Sequence, residues 1–295
     1  MHEVRSGLFI LQTTVLTSAA MLAFAANSLL CRLALQRGEI DPVSFGCIRL
    51  VSGAIVLTLI LRFKAGRSAG RADWLAAAML FAYVAFFSFA YLTLSAGTGA
   101  LVLFGAVQLT MFSAGLRSGE KFGSIAWLGL ALAVAGLVYL VSPGVAAPPL
   151  LGAALMAAAG IAWGVYSLRG RRVVDPLAAT AGNFARAAPL ALVLSVPVIA
   201  ATGVHANEAG VLWAIASGAL TSGIGYVIWY AALGKLTAMR AATVQLSVPL
   251  IAAFGGVAFL SEAITPRLAV ASFMILGGIA MVLGRSHARR LSRGA

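Results

Sequence analysis

The sequence has few charged residues, and acidic ones are the scarcest. Of its 295 residues only 10% are charged, with eight Asp and Glu against 21 Lys and Arg. A soluble domain carries about a quarter charged residues, so the composition excludes an ordinary soluble domain. All eight acids lie between the long apolar stretches or at their ends. No carboxylate pair is therefore expected inside the apolar region for acid–base chemistry.

Histidine and cysteine are also rare. His2, His205 and His287 all lie outside the apolar stretches, and neither a His-Glu-x-x-His nor a Gly-x-Ser-x-Gly motif is present. Cys31 and Cys47 cannot make a disulfide framework, and we interpret them as packing residues. These absences leave a membrane-embedded enzyme only as a distant alternative. We expect no catalytic residue, no metal site and no cofactor.

Long hydrophobic runs dominate the chain, which is 61% hydrophobic. A helix of about 20 apolar residues crosses the hydrocarbon core of a bilayer, and such spans should be helices because lipid cannot satisfy backbone hydrogen bonds. Ten stretches qualify, at about 8–30, 42–62, 73–95, 98–116, 122–141, 149–168, 177–200, 209–233, 239–260 and 266–284. The sequence predicts an all-α integral membrane protein with ten transmembrane helices.

The two halves of the sequence resemble each other. Residues 119–121 (Gly-Glu-Lys) correspond to 261–263 (Ser-Glu-Ala), and Asp41-Pro42 corresponds to Asp175-Pro176. We predict a single membrane domain over 1–295, with repeat one at about 8–141, repeat two at about 149–284 and a basic cytoplasmic tail at 285–295. An odd number of spans per repeat inverts the second copy, and transporters place their sites between such inverted repeats.

The basic residues are distributed unevenly between the predicted loops. Sixteen of the 21 lie on the side that would hold both termini, whereas only Arg32, Arg37 and Arg267 lie on the other. This bias predicts a multi-pass protein of a bacterial inner membrane with both termini in the cytoplasm. The net charge of +13 is then explained by topology and by contact with anionic lipid, so no nucleic-acid partner is expected.

Several of these segments together resemble a known family. Residues 24–32, Asp41-Pro42 and Arg49 resemble the opening of the EamA-type repeat of the drug/metabolite transporter superfamily, and residues 119–136 resemble its end. The second copy offers Trp163-Gly164, Asp175-Pro176, Arg186, Tyr230, Pro249, Glu262 and Gly277-Gly278. The aromatic third span and residues 107–110 look most like the YddG amino-acid exporters. One departure is that Val107-Gln108 stands where family repeats often carry the proline that Pro249 supplies in the second copy.

The resemblance implies a carrier that exports small molecules, namely aromatic and other neutral amino acids. A polar or aromatic side chain within an apolar helix needs a partner, and a cavity between the repeats supplies one. The predicted substrate-binding residues are Asn27, Tyr83, Tyr91, Gln108, Trp163, Asn183, Arg186, Tyr226 and Gln245. Alternatives remain open: aromatic packing, hydrogen bonds between helices worth about 0.6 kcal/mol, and, for Arg49 and Arg186, snorkelling to the membrane surface.

Energy coupling follows from where the titratable groups lie. Proton-driven carriers usually hold a carboxylate or His in the pathway, and the interiors of the predicted spans contain neither. The sequence therefore predicts facilitated diffusion by alternating access, with Glu120 and Glu262 at helix junctions accepting hydrogen bonds from the next helix. The alternative is a proton-coupled exporter of drugs or cationic metabolites, in which one of these glutamates enters the cavity. The oligomeric state stays open, and a monomer is compatible with these observations.

Overall fold

The computed structural model describes residues 2–63, 73–119, 122–170, 173–233, 235–236 and 244–291, and these residues are almost entirely helical. The described part contains no strand, only an isolated bridge between Ile40 and Ala206. The helices are α1 His2–Gln36, α2 Pro42–Phe63, α3 Trp74–Ala90, α4 Ala96–Arg117, α5 Ser124–Val141, α6 Leu150–Gly170, α7 Pro176–Thr202, α8 in three consecutive pieces (Glu208–Ile215, the π-helical Ala216–Ile224 and Gly225–Leu233), α9 Ser247–Leu260 and α10 Pro266–Leu291. The prediction of an all-helical chain is confirmed.

Eight helices in the described residues are long and apolar enough to cross a membrane. The other two, α3 and α9, are apolar but have only 17 and 14 residues. Large apolar side chains stand exposed on the outer surface, including Phe273 at 80% and Phe259 at 75%. Such a surface suits lipid rather than water. The chain is a multi-pass membrane protein, while ten spans in two inverted repeats remain a prediction.

Helices α1 and α3 do not end at the residues that the sequence predicted. Helix α1 continues past residue 30 to Gln36 and stops before Gly38, whose positive φ of 65° ends it. Helix α3 stops at Ala90, five residues before the predicted end, because Ser95 caps α4 by accepting from the Thr98 amide. Glu120, residues 239–243 of the ninth predicted span and residues 292–295 of the tail lie outside the described residues.

The two Asp-Pro pairs begin helices in the same way. Asp41 accepts hydrogen bonds from the amides of Val43 and Ser44 at the start of α2, and Asp175 accepts from the Ala178 amide in α7. A carboxylate at this position satisfies free amides and favours the helix dipole. Burial raises the pKa of Asp41, but the hydrogen bonds from Ser44, His205 and Val43 lower it more, so it lies below its ordinary value.

The helices pack in pairs that join the two halves of the chain. Helix α5 packs against α10, α2 against α7, and α3 against α6. At the α5–α10 contact, a Cβ at Gly129 would meet the carbonyl oxygen of Gly278, so only glycine allows this approach. Helices α1, α2, α3, α4, α6 and α8 surround a small cavity at the centre.

Candidate substrate-binding site

A hydrogen-bonded polar network lies inside the helix bundle around Asn27. The Asn27 side-chain oxygen accepts from Ser217 Oγ at 2.6 Å and from Thr221 Oγ1 at 3.2 Å, while its nitrogen donates to the Tyr83 hydroxyl at 3.3 Å. All four side chains are buried. The network joins α1 and α3 to the π-helical piece of α8.

Arg49 is the charged member of this network. It is 1% exposed, and its Nε donates to Ser222 Oγ at 3.2 Å while one terminal nitrogen donates to the Tyr83 hydroxyl at 3.1 Å. The guanidinium also lies over the rings of Tyr83 and Phe87, at 5.1 and 5.0 Å. Its other terminal nitrogen is buried without a hydrogen-bond partner. A buried cation whose donors are not all used is costly, so this nitrogen needs an acceptor that the described residues do not supply.

The Tyr83 hydroxyl adds a second donor at the same place. It accepts from both Asn27 and Arg49, and a phenol that accepts keeps its own proton to donate. Two donors of this kind suit the two oxygens of a carboxylate, which Arg binds most strongly. No Asp or Glu lines the cavity among the described residues.

Aromatic rings line the cavity beside the polar network. Trp163 lies 4.9 Å from the Tyr83 ring and 5.4 Å from the Tyr226 ring, and Phe24 lies 6.0 Å from Tyr226. These spacings are those of favourable aromatic pairs. An aromatic or other apolar group would find complementary surface here, next to the polar network.

The cavity is nearly filled in this conformation. Its volume is about 20 Å³, roughly enough for one water molecule, whereas small-molecule sites usually have ~300–1,000 Å³. Its lining residues are Phe24, Asn27, Ser28, Arg49, Tyr83, Phe87, Leu103, Phe104, Trp163, Thr221, Ser222 and Tyr226. A substrate therefore requires the bundle to open.

The π-helical piece of α8 explains how three polar side chains reach one point. A π turn places residues four and five apart on one face, and such segments are frequent at functional sites. Ser217 and Thr221 therefore both reach Asn27, and Ser222 reaches Arg49. The approach also needs Gly218, where a Cβ would meet the carbonyl carbon of Arg49 at 2.9 Å.

Four of the predicted binding residues come together at this cavity, namely Asn27, Tyr83, Trp163 and Tyr226. Sequence reasoning did not include Arg49 among the binding residues, nor Thr221 and Ser222. An arginine inside an apolar span was a usable signal for Arg49. The π geometry that turns Thr221 and Ser222 inward has no signal in the hydrophobic pattern of the sequence.

The other five predicted residues lie elsewhere. Tyr91 is buried against α4, where its hydroxyl donates to the Ala96 carbonyl. Arg186 donates to the Gly182 carbonyl and lies over the Trp74 ring. Gln108 and Gln245 are half-buried and do not line the central cavity. Asn183 lines a separate cavity of about 40 Å³ with Tyr166, Thr180 and Tyr230.

One end of the bundle is closed by an ion pair, and we call it the Glu262 end. Arg32 Nε lies 3.2 Å from Glu262 Oε1, with the two side chains 14% and 11% exposed. Glu262 Oε2 accepts from the Ala96 amide at 2.8 Å, and Arg32 donates to the Tyr91 and Leu92 carbonyls. The prediction that Glu262 caps the helix that follows it is wrong. It caps α4 in the first half instead, because Thr265 already caps α10.

The opposite end is closed by Asp73, and we call it the Asp73 end. Arg169 at the end of α6 forms an ion pair with Asp73. The Asp73 amide donates to the Asn183 side chain of α7 at 3.3 Å. An ion pair thus lies at each end, with the central cavity between them.

Comparison with known proteins shows the family. The model of the EamA-like transporter family matches the chain twice, over residues 12–142 and 150–284. The chain belongs to the EamA-like transporter family. As a member, it is a membrane transporter of small molecules rather than an enzyme.

Two relatives and one solved structure are similar to this chain over most of its length. An uncharacterized protein of Pseudomonas aeruginosa is 50% identical over 96% of this chain and 99% of its own. The uncharacterized transporter YoaV of Bacillus subtilis is 23% identical over 82% of this chain and 87% of its own. One crystal structure of a protein aligns with 92% of this chain and 96% of its own, with a TM-score of 0.64 at 21% identity. That likeness shows a shared fold alone.

Proposed function

We propose that this EamA-like protein exports amino acids, aromatic and other neutral ones, by alternating access. The observation that carries the proposal is the buried Arg49 with an unused donor beside an aromatic wall. The substrate carboxylate would take the free donors of Arg49 and Tyr83, and its apolar side chain would lie against Trp163 and Tyr226. The two closed ends would open in turn.

A carrier of cationic drugs is the alternative substrate class. Such a carrier attracts its substrate with a buried carboxylate, and the described cavity holds a buried cation instead. Like charges repel strongly in a region of low dielectric constant. The cavity therefore disfavours cationic substrates.

We propose facilitated diffusion, because no carboxylate or His lines the central cavity among the described residues. Counterflow in liposomes containing the purified full-length protein tests substrate and coupling together. We expect exchange of labelled aromatic and neutral amino acids without a pH gradient or a membrane potential, and no exchange of the corresponding decarboxylated amines. Transport of cationic drugs alone would contradict the substrate class. A requirement for a proton gradient that Glu262→Gln removes would contradict facilitated diffusion.

Orientation in the membrane is proposed from the distribution of charge. The Asp73 end would face the cytoplasm of a bacterial inner membrane, together with both termini, because sixteen basic residues lie on that side. A reporter enzyme that is active only in the cytoplasm should show activity when it is fused after Ala295, and one that is active only in the periplasm should not. Activity of a periplasmic reporter at this position would reverse the proposed orientation.

A further inference from the structure

A large groove lies outside the central cavity in the described structure. Helix α6 packs against α3 and α4, whereas α5 packs against α10. A gap therefore remains between α5 and α6, and α4 lies along it. The gap has a volume of about 910 Å³ and is lined by all three helices. Exposed residues such as Val138 on α5 and Leu150 and Ile161 on α6 border it. The groove is therefore open on the surface that faces lipid.

The polarity of the groove changes along its length. Toward the Glu262 end it is lined by apolar side chains such as Leu137, Val141 and Leu150. All of its polar side chains lie on the last turns of α4 and beyond, at the Asp73 end: Thr110, Ser113, Arg117 and Ser118. No acidic residue lines it among the described residues. The lining is thus amphipathic, with one positive charge at one end.

The dimensions fit a lipid chain. From Val102 to Arg117 the groove follows 16 residues of α4, about 22 Å at a rise of 1.5 Å per residue. One leaflet of the hydrocarbon core is about 15 Å thick, half of the ~30 Å bilayer core. An acyl chain can therefore extend along the groove while its headgroup stays near Arg117.

We propose that this groove binds a phospholipid with an anionic headgroup, whose acyl chain lies between α5 and α6 and whose phosphate is held by Arg117. The choice of occupant follows from charge complementarity, because among the described residues the only charged side chain that lines the groove is Arg117, placed where the groove reaches the interface. In the proposed orientation this is the cytoplasmic leaflet, whose surface is negative. The groove shares no lining residue with the central cavity.

Native mass spectrometry of the purified full-length protein tests the lipid site. The protein is taken from nanodiscs of equal phosphatidylglycerol and phosphatidylcholine, and the lipids that stay bound are counted. We expect wild type to retain phosphatidylglycerol preferentially, and Arg117→Gln to lower that retention about tenfold, the factor for losing a hydrogen bond between charged groups. The matched control is Arg62→Gln, an exposed arginine at the end of α2, which should retain lipid as wild type does.

A second variant tests the acyl-chain part of the groove. Ala154 is an exposed lining residue on α6, so Ala154→Trp should fill the groove without disturbing the core. We expect it to lose the retained lipid, whereas Ala280→Trp, at an exposed position on α10, should keep it. Wild-type retention by either Arg117→Gln or Ala154→Trp would overturn the proposal. So would a dimer mass that is lost in Ala154→Trp, because the groove would then be an interface between copies of the chain.

Discussion

Replacing Arg49 with glutamine should weaken the binding of a carboxylate-bearing substrate by about 30-fold or more. Truncating one partner of a buried, hydrogen-bonded charge pair costs ~2–5 kcal/mol, and the lower value corresponds to that factor. Glutamine keeps a donor for Ser222 or Tyr83 but loses the charge and the fork of donors. The measurement is substrate affinity, by scintillation proximity or counterflow, for the purified variant.

Matched variants and ligands separate binding from folding. Arg186→Gln removes another arginine within a helix, which contacts Gly182 and Trp74 away from the cavity, and it should bind substrate as wild type does. The amide derivative of the amino acid should bind wild type weakly, and Arg49→Gln should weaken it no further. Arg49→Lys, which keeps the charge, should recover part of the affinity. If Arg49→Gln lowered the affinity for the amino acid and for its amide by the same factor, Arg49 would have only a structural role.

Breaking the ion pair at the Glu262 end should shift the protein toward a conformation open at that end. Glu262→Gln retains an acceptor for the Ala96 amide but removes the charge that holds Arg32. A hydrogen bond between charged groups contributes ~1.5–3 kcal/mol, so the open population should rise about 10- to 100-fold. Such a change can alter transport without any contact with the substrate.

Cys31 provides the readout, because it is fully buried next to Arg32. In a Cys47→Ser background, a membrane-impermeant maleimide added at the Glu262 end should label Cys31 faster in Glu262→Gln and in Arg32→Gln. The double variant should not exceed either single one, because the two residues form one interaction. Asp73→Asn, the corresponding change at the opposite end, is the control and should not accelerate labelling. Unchanged labelling in Glu262→Gln would show that the ion pair does not hold this end closed.

The sequence alone determined the class of protein and its organisation into helices. Run length, hydrophobicity and the placement of charges are local properties, so they could be read without knowing which helices touch. The family part of the resemblance is confirmed by the two matches to the EamA-like model. The Asp-Pro pairs act as helix starts because a cap is formed within three residues of the chain. Such local features keep the same order along the chain whichever helices pack together.

Only the tertiary structure decided which polar residues share a site. Arg49 and Arg186 are both arginines within apolar helices, and nothing in the sequence ranks them. Packing distinguishes the two arginines, because Arg49 faces Tyr83 and Ser222 whereas Arg186 faces its own helix and Trp74. Glu262 likewise caps a helix 166 residues away, a contact that no local pattern encodes. The class of the protein depends on each helix by itself, whereas its site depends on which faces of different helices meet.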